Sequence, residues 1–382
     1  MRILYLVNEW AYFLRHRKAL ARAMADQGHE VIVASGEAER APARIHSGAI
    51  AVERLRLDRH RFRPLGDVRL VAQIRHLLAR HEPDVVHAIT IKPILYSALA
   101  AASSAWRGRI VWTFPGLGKV FEPPGTGYER ARRRLVASVL ARAADGRDTW
   151  FTFENRGDRR AFVQARIARS DRAVRVDGTG LDLDLFKPAG TPDPTTDPAG
   201  KPTVLFASRL IRSKGIDTFL EAARSSKGDA RFVVAGLHDA TNPDAIDLDV
   251  LHRAHDDGVI DYRGAVVPED MPALYREAGI AVLPTRLREG MPRSVLEAAA
   301  CGTANVATDQ LAIREIVQPN RTGWLVAPPS AANVAAAIGD ALSDRDRLAR
   351  MGLAARRLVE SGGYGEAEVA RSFERIYAGE RP

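Results

Sequence analysis

The chain has 382 residues, of which 46% are hydrophobic and 27% are charged. This length exceeds that of one ordinary hydrophobic core and predicts two domains, while the composition is typical of a soluble globular protein. A single cysteine, Cys301, excludes an internal disulfide and favours a reducing cytoplasm. The N-terminal segment lacks the apolar region of a secretory signal, and no run of about eighteen apolar residues occurs. We therefore expect a cytoplasmic protein without a membrane span.

The net charge of +9 is unevenly distributed along the chain. Residues 1–185 hold 32 Lys and Arg against 20 Asp and Glu, whereas the remaining residues hold 24 against 27. A basic half can bind nucleic acid, a membrane surface or an anionic lipid-linked substrate. An arginine-rich coding bias would raise basicity throughout the chain, which is not observed. Nucleic-acid binding would require aromatic residues among the arginines, and Arg130–Arg134 contains none, so we expect no nucleic-acid partner.

Alternating strands and helices in the first half predict a doubly wound parallel sheet. The predicted strands are Arg2–Val7, Glu30–Ala34, Asp84–His87 and Ile110–Thr113, and the predicted helices are Leu14–Gln27, Val68–Arg80 and Ile94–Ala102. From Phe186 onward the sequence becomes rich in Pro and Thr, which predicts a linker over residues 186–202. A second α/β series follows, with strands predicted at Thr203–Ala207, Arg231–Ala235 and Ile280–Leu283.

The segment Ile280–Gly302, IAVLPTRLREGMPRSVLEAAACG, is the most informative part of the sequence. Its apolar start predicts a buried parallel strand, and Pro292 suits the first position of a helix over Arg293–Cys301 that ends at Gly302.

Two carboxylates, Glu289 in the loop and Glu297 in the helix, flank the N-terminus of this helix at the carboxyl end of a strand. Open α/β sheets bind ligands at that edge, and a helix N-terminus favours a phosphate group. Carboxylates beside a phosphate site suit hydroxyl groups as partners. The segment therefore predicts a site for a nucleotide sugar.

The spacing of Glu289 and Glu297 resembles the signature of the family-4 retaining glycosyltransferases of the GT-B fold. The segment VLFASRLIRSKGID, which contains Arg209 and Lys214, is similar to the second signature of that family. The resemblance is strong over residues 203–330 and weak over residues 1–180. It implies an α/β protein of GT-B class, with two Rossmann-like doubly wound domains facing a cleft.

The resemblance also implies a function for each segment of the chain. Residues 1–185 would form the acceptor-binding domain, and residues 203–362 would form the nucleotide-sugar-binding domain. Residues 363–382 would form a helix that crosses back to the N-terminal domain.

The resemblance implies that three residues are catalytic: Arg209 and Lys214 would clamp the diphosphate, and Glu289 would bind a hydroxyl of the transferred sugar. Glu297 would belong to the donor-binding residues and bind the ribose diol. The further donor-binding residues are Ala265 and Val266, through their main chain, and Gly290, Met291, Pro292, Ser294 and Val295.

We expect no cofactor and no metal ion, because these cations and the helix N-terminus would stabilise the leaving diphosphate. The sequence contains two Asp-x-Asp patterns of the kind that bind metal in another glycosyltransferase fold, Asp182-Leu183-Asp184 and Asp247-Leu248-Asp249. The first lies in a segment that resembles the end of the N-terminal domain in family 4, and the second lies in a polar, loop-like region. We expect neither of them to bind metal.

The segments Thr90–Pro93 and Thr113–Phe121 resemble the subset of the family that extends polyprenyl-diphosphate-linked saccharides. This resemblance implies an acceptor site formed by His87, Lys92, Gly116, Gly118 and Lys119. Two alternatives remain open: His87 is a core histidine at the end of a strand, and the glycines form an ordinary turn.

The segment Tyr128–Arg142 carries Leu135, Val136, Val139 and Leu140 on one predicted helix face, with five arginines outside it. Such a helix either lies on an anionic membrane or packs its apolar face into the core. The first alternative predicts a peripheral protein on the inner face of the plasma membrane.

Together these features predict a retaining, metal-independent hexosyltransferase in surface polysaccharide synthesis. Its donor would be a UDP-hexose or a UDP-N-acetylhexosamine, with GDP also open, and its acceptor a polyprenyl-diphosphate-linked saccharide. Two alternatives are a transferase for a soluble small-molecule acceptor and a nucleotide-sugar epimerase of the same fold. Arg209, Lys214 and the spacing of the glutamates argue against the epimerase.

Overall fold

The computed structural model describes residues 1–38, 41–57, 64–121, 126–188, 200–226 and 228–382. The chain forms two compact units: Met1–Gly180 together with Glu366–Pro382, and Leu181–Gly365. Most of the predicted linker over residues 186–202 lies outside the described residues. None of the helices in the described ranges combines the length and apolar character that crossing a bilayer requires.

In the described part of the first unit, eight strands form one sheet in the order β3-β4-β2-β1-β5-β6-β7-β8. The strands are β1 Arg2–Val7, β2 Glu30–Ser35, β3 Arg44–Ile45, β4 Ile50–Arg54, β5 Val85–Ile89, β6 Arg109–Phe114, β7 Thr149–Phe153 and β8 Ala173–Arg175. The helices are α1 Trp10–His16, α2 Lys18–Asp26, α3 Pro64–His81, α4 Ile91–Ala102, α5 Gly118–Phe121, α6 Gly127–Ala144 and α7 Arg156–Gln164. All neighbouring strands are parallel except β3 and β4.

The predicted helix Leu14–Gln27 is instead two helices, α1 and α2, separated at Arg17. Arg17 departs from helical geometry with φ of −133° and directs its guanidinium into the core. There its Nη2 donates to Glu154 Oε1 over 2.9 Å, in an ion pair whose side chains are 1% and 5% exposed. Because this partner lies 137 residues away, local periodicity does not reveal the break.

In the described part of the second unit, six parallel strands form one sheet in the order β11-β10-β9-β12-β13-β14. The strands are β9 Thr203–Ala207, β10 Arg231–Ala235, β11 Asp261–Tyr262, β12 Ile280–Leu283, β13 Ala304–Thr308 and β14 Gly323–Val326. The helices are α8 Ile216–Ser225, α9 Leu248–Asp256, α10 Met271–Glu277, α11 Arg293–Ala300, α12 Ala331–Leu342 and α13 Arg345–Ser361. The strand order reverses at β9, so the carboxyl ends of β9 and β12 border the position where such sheets bind ligands.

The last helix, α14 Glu366–Ala378, belongs to the first unit. It packs on α2 and on β6. Its buried face consists of Val369, Ala370, Phe373, Ile376 and Tyr377. The chain thus leaves the first unit after Gly180 and returns to it at Glu366.

Candidate active site

Lys214 lies in a tight turn that follows the central strand β9. The turn is a short 3₁₀ helix, Arg212–Lys214, and it ends at Gly215 in a left-handed conformation with φ of 86°. A Cβ at Gly215 would lie 2.2 Å from the carbonyl oxygen of Pro284, the residue that follows β12. The turn therefore lies directly against the loop that carries Glu289, and only glycine permits so close an approach.

Lys214 and Glu289 form the centre of the site. The Nζ of Lys214 donates to both carboxylate oxygens of Glu289, over 2.8 Å and 2.9 Å. Thr285 Oγ1 donates to Glu289 Oε1 over 2.7 Å. The side chains of Lys214 and Glu289 are only 11% and 10% exposed, so the pair is held in a largely desolvated position. Such a pair fixes both groups in place, because separating them would leave an uncompensated charge.

The turn that carries Lys214 is held by Asp244. The backbone N–H of Arg212 donates to the carbonyl oxygen of Asp244 over 2.8 Å. The N–H of Ser213 donates to Asp244 Oδ2 over 3.1 Å, and its hydroxyl donates to the same oxygen. Asp244 therefore fixes the backbone on the N-terminal side of Lys214.

Glu297 lies on the helix α11 and is 9% exposed. Arg293 Nε donates to its Oε1 over 2.6 Å, and the hydroxyl of Tyr275 donates to its Oε2 over 3.0 Å. Burial, together with the charge of Glu297, holds the pKa of Tyr275 well above its ordinary value. The phenol therefore stays protonated and can act as a donor that orients the carboxylate.

The start of α11 differs slightly from the prediction. Pro292 is the N-cap residue, not the first helical residue, and α11 ends at Ala300 with Cys301 as its C-cap. A proline side chain has no oxygen to accept hydrogen bonds, so it cannot cap the N–H groups of the first turn. These groups lie at the carboxyl edge of the sheet, as the phosphate-site hypothesis requires.

Several residues expected at the donor have enclosed side chains. Met291 is 8% exposed and Val295 is fully buried, and Gly290 and Pro292 are buried as well. The N–H of Val295 donates to the carbonyl oxygen of Pro292 over 3.1 Å. A contact between these residues and a donor would therefore have to use the main chain, whereas Ser294 is only half-buried.

Arg209, Ala265 and Val266 lie in other loops at the same edge of the sheet. Arg209 follows β9 and is half-buried, while Ala265 is exposed and Val266 half-buried in the loop after β11. The loop after β10 connects them: the N–H of Gly236 donates to the carbonyl oxygen of Gly264 over 2.8 Å, and the N–H of Leu210 donates to the carbonyl oxygen of Leu237 over 3.0 Å. The structure therefore brings Lys214 and Glu289 into contact, and places these three residues on neighbouring loops.

The two Asp-x-Asp patterns have local structural roles. Asp182 Oδ1 accepts the N–H groups of Asp184 and Leu185, each over 3.0 Å. Asp247 is the N-cap of α9 and accepts the N–H of Asp249. Within the described ranges, no three His, Cys, Asp or Glu side chains converge as metal ligands would.

His87, expected at the acceptor, is instead a core histidine of the first unit. It is fully buried, with its Nδ1 2.6 Å from the hydroxyl of Tyr377 and its Nε2 2.6 Å from Thr113 Oγ1. Burial, together with the charge of Arg17, holds the pKa of His87 well below its ordinary value. Both ring nitrogens are engaged, by Tyr377 of α14 and by Thr113, which favours the alternative of a strand-end core histidine.

The other residues expected at the acceptor lie near the carboxyl ends of β5 and β6. Lys92 is in the first turn of α4 and is half-buried. Gly116 precedes α5, and Gly118 begins it with φ of 58°. Lys119 follows in the same helix, and its side chain lies outside the described part of the structure.

The helix α6 has only part of the apolar face that the sequence predicts. Leu140 is buried and Val136 packs half-buried against the core, but Leu135 is 65% exposed. Tyr128 is 75% exposed, with the guanidinium of Arg132 6.0 Å from its ring centroid. The exposed side of α6 therefore combines apolar and basic residues.

Four residues that hold the site were not predicted from the sequence: Asp244, Tyr275, Thr285 and Arg293. Arg293 could have been found, because it precedes Glu297 by one helical turn. The contacts of Tyr275 and Asp244 join separate loops and helices, so no local sequence pattern indicates them.

Comparisons with known proteins agree with this fold. Residues 2–144 match the family described as glycosyl transferase 4-like, and residues 192–358 match glycosyl transferases group 1. A sucrose-phosphate synthase from Thermosynechococcus elongatus has the same fold, with a TM-score of 0.80 at 19% identity over 99% of this chain and 98% of that chain. The predicted GT-B fold class is thereby confirmed.

Two sequence relatives match most of the chain. A GDP-mannose-dependent alpha-(1-6)-phosphatidylinositol monomannoside mannosyltransferase from Mycobacterium tuberculosis is 33% identical over 324 residues, 78% of this chain and 75% of that protein. An N,N'-diacetylbacillosaminyl-diphospho-undecaprenol alpha-1,3-N-acetylgalactosaminyltransferase from Campylobacter jejuni is 25% identical over 99% of this chain and 98% of that protein.

Proposed function

Because the chain belongs to the group 1, glycosyltransferase 4-like enzymes, we propose that it transfers a sugar from a nucleotide sugar to a polyprenyl-diphosphate-linked saccharide. The transfer proceeds with retention of the anomeric configuration and without a metal ion. The donor is a UDP-hexose or a UDP-N-acetylhexosamine, and GDP-mannose is the competing donor.

The observation that carries the proposal is the contact between Lys214 and Glu289 beside the start of α11. It places a cation, a carboxylate and a helix N-terminus at the edge where the sheet order reverses. A diphosphate suits the cation and the helix, and a sugar hydroxyl suits the carboxylate. Glu297, oriented by Arg293 and Tyr275, suits the ribose diol.

In the proposed reaction, the bond between the anomeric carbon and the diphosphate oxygen breaks, and the acceptor oxygen forms a bond to the same face of that carbon. The diphosphate gains negative charge as it leaves, and Lys214 and Arg209 stabilise that charge. A diphosphate oxygen takes the proton of the acceptor hydroxyl, so the chain supplies no separate general base. Glu289 binds a hydroxyl of the sugar and fixes its orientation.

A lipid-linked acceptor is supported by the names of both relatives, and a polyprenyl diphosphate by the name of one of them. The Campylobacter protein is named for an undecaprenyl-diphosphate-linked acceptor, and the mycobacterial protein for a phosphatidylinositol mannoside. Both acceptors are lipid-linked. Lys92, Gly116, Gly118 and Lys119 remain the proposed acceptor contacts in the first unit.

We also propose that α6 contacts an anionic membrane surface. Its exposed side carries Tyr128 and Leu135 together with Arg130, Arg134 and Arg142. Vesicle co-sedimentation of the protein should require anionic lipid and weaken as salt screens the arginines. Leu135→Glu should release the protein, whereas Leu353→Glu on α13, also at an exposed leucine, should not. Equal sedimentation with neutral vesicles would contradict this role.

The function is tested by a transfer assay in which each of several donors is combined with each of two acceptors. Purified protein receives UDP-glucose, UDP-N-acetylglucosamine, UDP-N-acetylgalactosamine or GDP-mannose, with either a polyprenyl-diphosphate saccharide or a free saccharide as acceptor, in EDTA. We expect glycosylation of the lipid-linked acceptor, with a retained anomeric configuration by NMR. Glycosylation of the free saccharide alone would establish a soluble acceptor, and epimerised donor without transfer would establish an epimerase. Activity that is abolished by EDTA and restored by a divalent ion would contradict metal independence.

A further inference from the structure

Gln310 holds the loop that carries Glu289. It lies just after β13, the strand that pairs with β12 on the side away from β9. Its Oε1 accepts the backbone N–H of Glu289 over 3.1 Å, and its Nε2 donates to the carbonyl oxygen of Leu287 over 2.8 Å. The same Nε2 lies 3.5 Å from the carbonyl oxygen of Thr285. One side chain thus contacts the loop at three residues.

The orientation of the Gln310 amide is fixed by these partners. The N–H of Glu289 requires the amide oxygen, and the two carbonyl oxygens require the amide nitrogen. A flipped amide would place its NH₂ group against that N–H and its oxygen against the carbonyl oxygens. A glutamate at this position would still accept the N–H of Glu289, but it could not donate to the carbonyl oxygen of Leu287. Gln310 is therefore matched to the loop by its chemistry as well as by its length.

The loop needs such support because it contains no regular secondary structure between β12 and α11. Its other anchors include the N–H of Arg286, which donates to the carbonyl oxygen of Ser213 over 2.8 Å, and Thr308 Oγ1, which donates to the carbonyl oxygen of Thr285 over 2.8 Å. Both act near the start of the loop. Gln310 acts on the backbone of Glu289 itself.

We propose that Gln310 is a positioning residue for sugar transfer: it sets the backbone that presents the Glu289 carboxylate to Lys214 and to the transferred sugar. The proposal rests on the proposed function and extends it to a residue outside both signature segments. Gln310 touches the loop, and its effect on the donor passes through Glu289. A misplacement of a reacting group by about 1 Å can reduce rate about a hundredfold, so a role of this kind is measurable.

The test compares Gln310→Met, Gln310→Glu and the matched control Gln318→Met. Methionine preserves the length and removes all hydrogen bonds of the amide, while glutamate preserves the acceptor for the N–H of Glu289 and places a negative oxygen against the carbonyl of Leu287. Gln318 is also half-buried in the second unit, but its Oε1 accepts Arg321 Nη1 and does not reach the loop. All three variants are assayed for transfer, for affinity for the nucleoside diphosphate alone and for thermal stability.

We expect Gln310→Met and Gln310→Glu to lower turnover by roughly ten- to a hundredfold while the affinity for the nucleoside diphosphate stays within about twofold. Gln318→Met should match the wild type. In a Glu289→Gln background, Gln310→Met should cause little further loss, because the residue acts through Glu289.

Wild-type turnover in Gln310→Met, or a loss that is equally large in the Glu289→Gln background, would overturn the role of Gln310. Equal losses of turnover and of nucleoside-diphosphate affinity would also overturn it, because they would indicate a general collapse of the site. A wild-type protein that transfers no sugar would overturn the proposed function, and with it this role, whereas an active wild type with unaffected variants would overturn the role alone.

Discussion

The Nζ of Lys214 lies 2.8 Å from Oε1 and 2.9 Å from Oε2 of Glu289, so one ammonium group engages both oxygens of one carboxylate. The two residues are 75 positions apart in sequence and are joined by the approach of Gly215 to Pro284. Because each side chain is about nine-tenths buried, the position of each depends on the other. Changes at either residue should therefore affect sugar transfer.

The first prediction concerns the cations of the proposed diphosphate clamp. Lys214→Ala and Arg209→Ala should each lower turnover by roughly a hundredfold or more, because both cations would stabilise charge that grows on the leaving group. Arg212→Ala is the matched control: Arg212 lies in the same turn, but it is half exposed and pairs with Asp217. Thermal stability measured alongside turnover separates loss of chemistry from loss of fold. Turnover within a few-fold of wild type in both variants would contradict the assignment of Arg209 and Lys214 as a diphosphate clamp.

The second prediction concerns Thr285, which is fully buried and donates to Glu289 Oε1 over 2.7 Å. Thr285→Val keeps the shape and removes the hydroxyl, and it should reduce transfer roughly tenfold, because a hydrogen bond to a charged group contributes about 1.5–3 kcal/mol. Thr285→Ser should restore most of the activity, since it retains the donor. If the valine and serine variants behave alike, the hydroxyl has no part in orienting Glu289.

The third prediction concerns pH and the buried imidazole of His87. Burial and the nearby Arg17 hold its pKa well below the ordinary value in the folded protein. Below about pH 6.5 the unfolded chain binds a proton that the folded chain excludes, so the free energy of unfolding should fall as pH decreases. Above that pH both states are neutral at this position, and His87 contributes no pH dependence.

Chemical denaturation of wild type and His87→Gln between pH 8 and pH 5 checks this prediction. The variant should be less stable at pH 8, because the contacts to Tyr377 and Thr113 are altered, but its stability should depend less steeply on pH below about 6.5. Identical slopes in the two proteins would mean that other groups cause the pH dependence.

Much of the fold could be predicted from the sequence, because buried parallel strands appear as short apolar runs. The strands at Arg2–Val7, Thr203–Ala207, Arg231–Ala235 and Ile280–Leu283 have the predicted bounds. The loop that carries Glu289 was also predictable, since Pro284 and Pro292 mark its ends. Local patterns were sufficient wherever the structure is determined by neighbouring residues.

The remaining features depend on contacts between distant parts of the chain. Arg17 divides the first predicted helix because it turns toward Glu154, which follows β7, three strands away from β1 in the sheet. His87 is enclosed by Tyr377, which comes from the last helix. The amide of Gln310 reaches a loop 21 residues earlier. A sequence pattern contains no signal for such pairs until the chain has folded.

The most direct test of the Lys214–Glu289 pair as the centre of sugar transfer measures transfer by Glu289→Gln with the donor already bound. The variant keeps the size of the side chain and removes its charge, so nucleoside-diphosphate affinity should stay within about twofold of wild type while single-turnover transfer falls by roughly a hundredfold. Gln318→Met provides the control and should transfer at the wild-type rate. If Glu289→Gln transfers sugar as fast as the wild type, the Lys214–Glu289 pair is not the centre of sugar transfer in this protein.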